Sequence, residues 1–448
     1  MELKFLIFFA VLLVGVPIGI FLAYFSRFVE KCCFIGLLSL SVIVDAFSIN
    51  FFSNEFYRGS VRGMEITLVD LVALVLAVVM LLKNGKLQLN IPGIWFFLIY
   101  FTLSAISVVN AENGLFSFLE LWKMYRMLIY FIVIFNYLEW RKDFELLIYS
   151  FAGVAYMTFA VVLFQKYALK IYQPRGTFPH QNSMAVYMEL TGPFLLALWL
   201  NTRMASWKTW IIASTFFAMT GSAILTLSRA AMLFYPFGCV IVALISLRYG
   251  QWERKLKVLL ALGLLGVLGL FFILPRILSR LETAPEASTT TRVNLAIAAV
   301  NMANDKFWGV GINNWGIKIN PPYNYSEHRT TKRYTDEFKD GIVETIYLLV
   351  AAECGWIGFT ALLLWLFCYL WYAFRLMVTY ARTNIFSLPL GLFAGLSAIY
   401  VHSTLEWMLK QTSNFYQLML MFGILAVLWY WHSQKETKKF LQENIFFR

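Results

Sequence analysis

The informative basic residues are those at outward helix ends or inside an apolar run, beside glycine, proline or apolar residues, and four places qualify. They are the segment 173–182 (QPRGTFPHQN) with Arg175, the segment 226–231 (TLSRAA) with Arg229, the segment 291–294 (TRVN) with Arg292, and the pair Lys123 and Arg126. A guanidinium group stays charged and binds anionic oxygens through a bidentate fork. Several such groups around one cavity would bind phosphate or pyrophosphate. The first segment also contains His180, and its Asn182 can cap the helix that follows.

Three of these basic residues have a specific simpler interpretation. Arg175 and Arg229 can extend from helix ends to lipid headgroups. Lys123 and Arg126 are three residues apart on one helical face, and Lys123 can pair with Glu120 one turn away. Charges inside a membrane are functional by default, whereas charges at helix ends are not. A phosphate site therefore depends on several of the arginines converging.

Three histidines and one glutamate are weaker candidates for substrate contact: His180, His328, His402 and Glu406. His402 and Glu406 are four residues apart and would share one face of a helix, where a polar pair satisfied inside the bundle is the preferred explanation. His328 lies in a stretch rich in tyrosine and arginine, where it contacts either sugar or nothing at all. Nearby aromatic residues can stack on sugars or anchor the chain at the membrane interface: Trp315, Tyr323, Tyr325 and Tyr334.

The elements that must position these residues are transmembrane helices. Of the 448 residues 60% are apolar and 14% charged, which leaves too little polar surface to cover a soluble protein of this size. A helix needs about 20 mainly apolar residues to cross the hydrocarbon layer. Such stretches predict spans at 5–25, 33–50, 67–82, 92–110, 116–138, 144–166, 183–201, 207–226, 230–247, 256–274, 344–378, 386–407 and 413–431. The first resembles a signal peptide but lacks a strongly basic start and an A-x-A cleavage site, so we interpret it as a retained helix.

Lysine and arginine set the orientation of these spans. They concentrate in alternate short loops, which the positive-inside rule assigns to the cytoplasm: Arg27 and Lys31, Lys83 and Lys86, Arg141 and Lys142, Arg203 and Lys208, Arg248 to Lys257, Arg375 and Arg382, and the tail after Lys435. The outer connections are then 51–66, 111–115, 168–182, 227–229, 275–343 and 408–412. The connection 275–343 is long enough to have its own structure and to carry function, and we predict a helix from Thr291 to Met302 within it. If the first span, 5–25, crosses the membrane fully, the N-terminus lies outside and the count is thirteen helices; otherwise the count is twelve.

Composition disfavours several other functions. The five cysteines lie in or beside apolar runs without C-x-x-C spacing, and H-E-x-x-H does not occur, so neither a disulfide framework nor a metal site is predicted. The net charge of +12 is divided among separate loops, which favours membrane topology over nucleic-acid binding. The sequence shows no internal repeat, which weakens a transporter built from two related halves.

The order of the short motifs resembles the O-antigen ligase and O-antigen polymerase superfamily. R-G-T-F-P-x-x-N opens a helix, S-R-A lies between two spans, and T-R begins a helix that is followed by 307–315 (FWGVGINNW). After the long connection come 344–348 (ETIYL) and 352–358 (AECGWIG). None of these pieces is specific alone. Together, in this order around a long outer loop, they make a fairly specific match over roughly 170–360.

The resemblance implies a membrane glycosyltransferase of GT-C-like architecture. Such an enzyme takes a glycan from a polyprenyl diphosphate on the outer leaflet and transfers it to an acceptor hydroxyl, with inversion and without a metal or other cofactor. It implies that Arg175, Arg229 and Arg292 handle the diphosphate. Family ligases carry H-N-x-Y-L where this chain has Glu344 and Tyr347. Glutamate and histidine are both general-base residues, so Glu344 can accept the proton of the attacking hydroxyl or orient it; the alternative is a structural charge stabilised by the helix dipole.

The predicted site follows from these inferences. The catalytic candidates are Glu344, Arg175, Arg229 and Arg292. The candidates for substrate binding are Lys123, Arg126, His180, Asn182, Tyr347, His328, His402 and Glu406.

We therefore expect an all-α polytopic membrane protein with twelve or thirteen transmembrane helices and one long, partly helical periplasmic loop. Its parts are an N-terminal bundle at 1–274, the loop at 275–343, and C-terminal helices with a cytoplasmic tail at 344–448. The predicted activity is polymerisation of polyprenyl-diphosphate-linked repeat units into O-antigen or exopolysaccharide at the bacterial inner membrane, with the site facing the periplasm. The loss of the ligase-type histidine favours this activity.

Three alternatives remain. They are an O-antigen ligase that transfers the glycan to lipid A core or another acceptor, a flippase or exporter of lipid-linked oligosaccharide, and a non-catalytic scaffold for polysaccharide export. The expected partners are the lipid-linked glycan donor, a glycan or lipid acceptor, membrane lipids, and a chain-length regulator and flippase of the same pathway. No nucleic acid is expected.

Overall fold

The structure is a computed structural model that describes residues 2–54, 57–202, 205–250, 252–282, 286–320, 322–325 and 341–434. Within these ranges the regular secondary structure is helical apart from one antiparallel pair of short strands, β1 (Ser48–Phe51) and β2 (Met64–Thr67). Among the described residues, six helical segments are long and apolar enough to cross a membrane: Lys4–Phe25, Glu145–Ala168, Gln181–Asn201, Arg229–Leu247, Ile346–Thr379 and Thr412–Ser433. The all-α polytopic class is thereby confirmed, and a total of twelve or thirteen spans stays a prediction.

Sixteen α-helices occur in the described ranges. They are α1 (Glu2–Ala10), α2 (Val16–Phe25), α3 (Arg27–Ser39), α4 (Leu68–Asn84), α5 (Ile94–Ile106), α6 (Gly114–Arg141), α7 (Glu145–Leu163), α8 (Gln181–Asn201), α9 (Ser206–Leu225), α10 (Arg229–Leu247), α11 (Trp252–Glu282), α12 (Glu286–Asp305), α13 (Trp315–Lys318), α14 (Ile346–Thr379), α15 (Ser387–His402) and α16 (Thr412–Ser433). The helices α4 to α10 follow the apolar runs closely, because lipid favours segments that satisfy their own backbone hydrogen bonds.

The predicted span 33–50 is wrong as a continuous helix. The helix α3 ends at Ser39 and is followed by two short 3-10 turns and then by β1. The Ser41 hydroxyl donates to the Leu38 carbonyl at 2.6 Å, and a side chain that bonds nearby backbone in this way competes with the helix. The strand then pairs Asn50 with Glu65 of β2.

The chain forms two compact units. The first comprises Met1–Tyr137, Glu286–Tyr369 and Ser403–Gly423, and the second comprises Leu138–Pro285, Leu370–His402 and the described part of Ile424–Arg448. Each unit combines segments from more than one of the three parts predicted from the sequence. The division into a bundle, a loop and C-terminal helices stays a prediction.

In the second unit, α8 is the central helix and packs against α9, α10 and α15. Glycines allow a close approach between α8 and α15. A Cβ atom on Gly391 would lie 2.5 Å from the Phe194 Cα atom, and one on Gly395 would lie 2.6 Å from the Leu190 carbonyl oxygen. Small residues at such contacts are typical of helix packing in membranes.

In the first unit, the described part of the long loop packs in an apolar cluster that it shares with α14. The helix predicted from Thr291 to Met302 lies within α12, and its Leu295 and Met302 contact Trp315 in one buried cluster. The Trp315 indole donates to the Gly341 carbonyl at 3.2 Å. Because Trp315 is fully buried, the prediction that it stacks on sugar or anchors at the interface is wrong.

Other aromatic residues of the loop have polar partners. The Tyr323 ring lies 3.9 Å from the Lys318 ammonium, and the Tyr325 hydroxyl donates to Asp305 at 2.6 Å. Tyr334 lies outside the described residues.

A break in α14 explains two of the short motifs. Gly355 has a φ of 69° inside this helix, so the turn before it does not bond its carbonyl groups along the helix in the usual way. The loop segment GVG supplies donors instead: the Val310 amide donates to the Ala352 carbonyl at 2.9 Å and the Gly311 amide to the Glu353 carbonyl at 3.0 Å. A Cβ atom on Gly309 would lie 2.4 Å from the Glu353 backbone, so only glycine fits there.

Candidate active site

In the first unit, Arg292 and Glu344 form an ion pair. Arg292 projects from α12, and Glu344 lies two residues before α14. Their side chains are 38% and 35% exposed, so solvent reaches both. A carboxylate oxygen of Glu406 lies 3.9 Å from the same guanidinium nitrogen. The arginine therefore stands between two carboxylates at the surface of this unit.

Local contacts fix the position of Glu344. The Ile346 amide and the Thr345 hydroxyl both point to the Ser403 carbonyl, at 3.3 and 3.2 Å. Val343 is buried in the core of the long loop. Since Glu344 precedes the N-terminus of α14, the helix dipole stabilises its charge. Tyr347 lies in the first turn of the same helix and is half-buried.

Lys123 is part of a buried cluster of four charges. Its ammonium lies 2.9 Å from Glu120 and donates to the Lys410 carbonyl at 2.8 Å. The Lys410 ammonium lies 3.4 Å from Glu120 and 3.0 Å from Glu353. Two ammonium groups thus balance two carboxylates, which is the condition under which buried charges persist. The pairing of Lys123 with Glu120 is the one that the simpler interpretation expects.

Arg126 lies in a second charge network, also in the first unit. Its guanidinium contacts Asp70 at 2.8 Å and Glu65 at 3.1 Å, and it donates to the Tyr416 hydroxyl at 2.9 Å. The Tyr416 hydroxyl in turn donates to Asp70 at 2.6 Å. Lys123 and Arg126 therefore both have protein partners, and their assignment to substrate stays a prediction.

In the second unit, the Arg-Gly segment is held by one side chain that the sequence reasoning missed. The Gln165 amide oxygen accepts from the backbone of Arg175 and Gly176, at 2.9 Å each, and its amide nitrogen donates to the Gly176 carbonyl at 2.8 Å. Gly176 has a φ of 60°, and a Cβ atom there would lie 2.8 Å from Met184. The Arg175 side chain is left exposed and donates to the Pro179 carbonyl at 3.0 Å.

His180, rather than Asn182, caps α8. The His180 Nδ1 atom accepts from the Asn182 amide at 3.2 Å, so the prediction that Asn182 caps this helix is wrong. The reason is that α8 begins at Gln181, two residues before the predicted span, which places Asn182 in its first turn. Partial burial and the nearby Arg175 charge both lower the pKa of His180. A neutral imidazole suits its role as a hydrogen-bond acceptor.

Arg229 is the first residue of α10. The Ser228 hydroxyl accepts from the Ala231 amide at 3.4 Å and caps the helix, and Leu227 takes a left-handed φ of 53° just before it. This tight connection leaves the Arg229 side chain exposed. The described part of the chain provides it with no ion pair.

His402 contacts a carboxylate that the sequence reasoning missed. His402 Nδ1 lies 2.7 Å from Glu189 of α8, both side chains are buried, and the Phe234 ring stacks at 5.2 Å from the imidazole. The prediction that His402 and Glu406 share one helical face is wrong, because α15 ends at His402. Glu189 is the lone glutamate inside the apolar run 183–201, and a single charge in a membrane span is the signal that could have identified it.

The structure thus brings together Arg292, Glu344 and Glu406 in one unit. Arg175, Arg229 and His180 belong to the other unit, and the convergence of all three arginines stays a prediction. His328 lies outside the described residues.

Residues 214–363 match the family model described as O-antigen ligase, a region that contains Arg229, Arg292 and Glu344. No curated protein matches the chain. The match confirms the resemblance to the O-antigen ligase and polymerase superfamily, and the family implies a glycosyl-transferring enzyme of the O-antigen pathway.

Proposed function

We propose that this chain, a multi-pass membrane protein whose residues 214–363 match the O-antigen ligase family, polymerises polyprenyl-diphosphate-linked oligosaccharides into O-antigen or exopolysaccharide. The reaction takes place at the outer leaflet of the bacterial inner membrane, with inversion and without a metal. The observation that supports this best is the ion pair of Arg292 with Glu344 beside Glu406. It puts an anion-binding group and a proton acceptor, the two groups that the reaction needs, within one accessible site.

In the proposed mechanism the donor diphosphate takes the place of Glu344 on Arg292. A diphosphate offers more anionic oxygens to a guanidinium than one carboxylate does. The released Glu344 carboxylate accepts the proton of the acceptor hydroxyl. The hydroxyl oxygen then bonds to the anomeric carbon as the bond from that carbon to the diphosphate oxygen breaks. A fixed cation where negative charge develops is usually the largest catalytic contribution.

Glu406 gives this exchange a second counter-ion. It lies 3.9 Å from the Arg292 guanidinium, at the limit of an ion pair, and its side chain is largely buried. When Glu344 leaves Arg292 and takes up a proton, Glu406 remains as a carboxylate partner that holds Arg292 in place. Arg175 and Arg229 are exposed on the second unit, and their contact with the diphosphate stays a prediction from the resemblance.

The polymerase is favoured over a ligase because Glu344 stands where the family ligases carry histidine. An O-antigen ligase is the second candidate, since that is how the matched family model is described. A flippase would move lipid-linked glycan without forming a glycosidic bond. Formation of a new glycosidic bond therefore distinguishes both transferases from a flippase.

The test incubates the purified protein with polyprenyl-diphosphate-linked repeat units, with and without lipid A core, and resolves the products on a gel. A ladder without lipid A supports the polymerase. Product only with lipid A supports the ligase and overturns the polymerase. Unchanged donor under both conditions argues against both transferases. The same assay is run on Glu344→Gln, and its matched control is Glu112→Gln. Glu112 is an exposed carboxylate on the same predicted outer side and pairs with Lys318.

A further inference from the structure

The second unit contains a basic cavity that the glycosyl-transfer site does not use. Its volume is about 780 Å³, and the end of α8, the α10–α11 connection and the α14–α15 connection line it. Four lining residues are cationic: Arg248, Arg254, Lys255 and Arg382. No aspartate or glutamate lines it within the described ranges. The loops that form it are those that the positive-inside rule assigns to the cytoplasm.

One of the four cations is structural. The Lys255 ammonium donates to Asn201 at 2.7 Å, to the Ser246 carbonyl at 2.9 Å and to the Tyr249 carbonyl at 2.5 Å. These bonds satisfy the carboxyl end of α10, where a cation is favourable. Lys255 therefore fixes the wall of the cavity and adds its charge there.

The three arginines are differently placed. The described part of the chain provides no ion pair for Arg248, Arg254 or Arg382. Arg248 and Arg254 flank the short α10–α11 connection, and Arg382 comes from the α14–α15 connection, so separate elements bring their charges to one cavity. Uncompensated cations in a shared cavity repel one another, and an anion relieves that repulsion. Guanidinium groups suit phosphate oxygens in particular.

We propose that this cavity binds a phosphate group, supplied by an anionic phospholipid of the cytoplasmic leaflet. Basic cavities between membrane helices on that side are suited to lipid headgroups. The lining also includes Tyr249 and Ala381 beside the cations, and the apolar atoms of these two partly exposed residues suit the glycerol and acyl part of a lipid. Free phosphate has the same charge chemistry but would gain nothing from these apolar atoms.

The test compares the unmodified protein with two variants, each placed in nanodiscs of phosphatidylcholine doped with phosphatidylglycerol. After transfer to detergent, native mass spectrometry measures how much phosphatidylglycerol each protein retains. The variant is Arg248→Gln with Arg382→Gln, which leaves the structural Lys255 intact. The control is Arg375→Gln, an exposed arginine on the same predicted side that does not line the cavity. At about a fivefold effect per cation near a charged surface, the double variant should retain phosphatidylglycerol roughly 25-fold more weakly. The control should match the unmodified protein.

Inorganic phosphate at millimolar concentration distinguishes the two sources. Displacement of phosphatidylglycerol only by excess phosphatidylglycerol supports the lipid site. Displacement by millimolar phosphate alone shows that the cavity takes free phosphate and overturns the lipid assignment. Equal retention by the folded double variant and the control, with folding checked by size-exclusion elution and thermal unfolding, overturns the proposal. If the double variant does not fold, the single variant Arg382→Gln is measured instead, with an expected weakening of about fivefold.

Discussion

Arg292 of α12 and Glu344, two residues before α14, are joined in an ion pair across the long loop. The described core of that loop, with Leu295, Trp315 and Val343 buried together, holds the two ends in place. The pair is accessible, so a substrate can exchange with either partner. Each partner can therefore be tested by removing it.

Glu344→Gln should stop glycan transfer and leave folding intact. The amide keeps the size of the side chain but cannot accept a proton, and general-base catalysis contributes about 10²- to 10⁴-fold. Turnover is measured from the product ladder, and folding from the thermal unfolding midpoint. Glu344→His should recover part of the activity because imidazole is also a base. Full activity in the Gln variant would remove Glu344 from the mechanism.

Arg292→Ala should impair use of the donor more than use of the acceptor. A hydrogen bond to a charged group contributes about 1.5–3 kcal/mol, which corresponds to a loss of roughly 10- to 150-fold in kcat/KM for the lipid diphosphate. The kinetics are measured with each substrate varied in turn. Arg62→Ala is the control, since Arg62 is exposed in a connection of the same unit that is predicted to lie outside. Equal losses for donor and acceptor would contradict a role in diphosphate binding.

Lys410→Met should lower the stability of the protein by about 3–5 kcal/mol. It removes one ammonium from the buried cluster and leaves Glu120 and Glu353 facing a single cation, Lys123. The measurement is thermal unfolding in detergent. The double variant Lys410→Met with Glu353→Gln restores the charge balance and should recover much of the loss. If the double variant is less stable than Lys410→Met, charge balance is not what stabilises the cluster.

His180 should make the protein less stable in mild acid. Burial and Arg175 lower the pKa of the folded imidazole, so below about pH 6.5 the unfolded chain binds more protons than the folded one. The contribution of the neutral cap is therefore present above that pH and is lost as the pH falls below it. His180→Asn keeps a capping side chain that does not titrate. Unfolding midpoints at about pH 7.5 and pH 5.5 should fall further for the unmodified protein than for this variant; equal falls would contradict the prediction.

The sequence predicted the helices better than their contacts. Apolar runs located α7 to α10 because lipid selects long apolar helices with satisfied backbones. The span 33–50 failed because its apolar content also fits the turns and strand that follow Ser39. Average hydropathy does not distinguish these conformations.

For the site, local sequence signals were sufficient to select individual candidate residues, but they did not predict which residues pair with each other. Arg292 and Glu344 stand out at the ends of a long polar stretch, and the structure brings them together. The pairing of His402 with Glu189 joins residues 213 positions apart, so spacing along one helix could not reveal it. Gln165, which holds the Arg-Gly segment, carries no charge and resembles any polar residue near a helix end.

The break at Gly355 also has a consequence for how related chains can diverge. Gly309 fits only because the helix opens at Gly355, and the carbonyl groups of that open turn are satisfied only because the segment after Gly309 reaches them. A chain that lost one glycine would lose the reason to retain the other. We therefore expect related chains to keep or lose the two glycines together, although much of the long loop lies between them in the sequence.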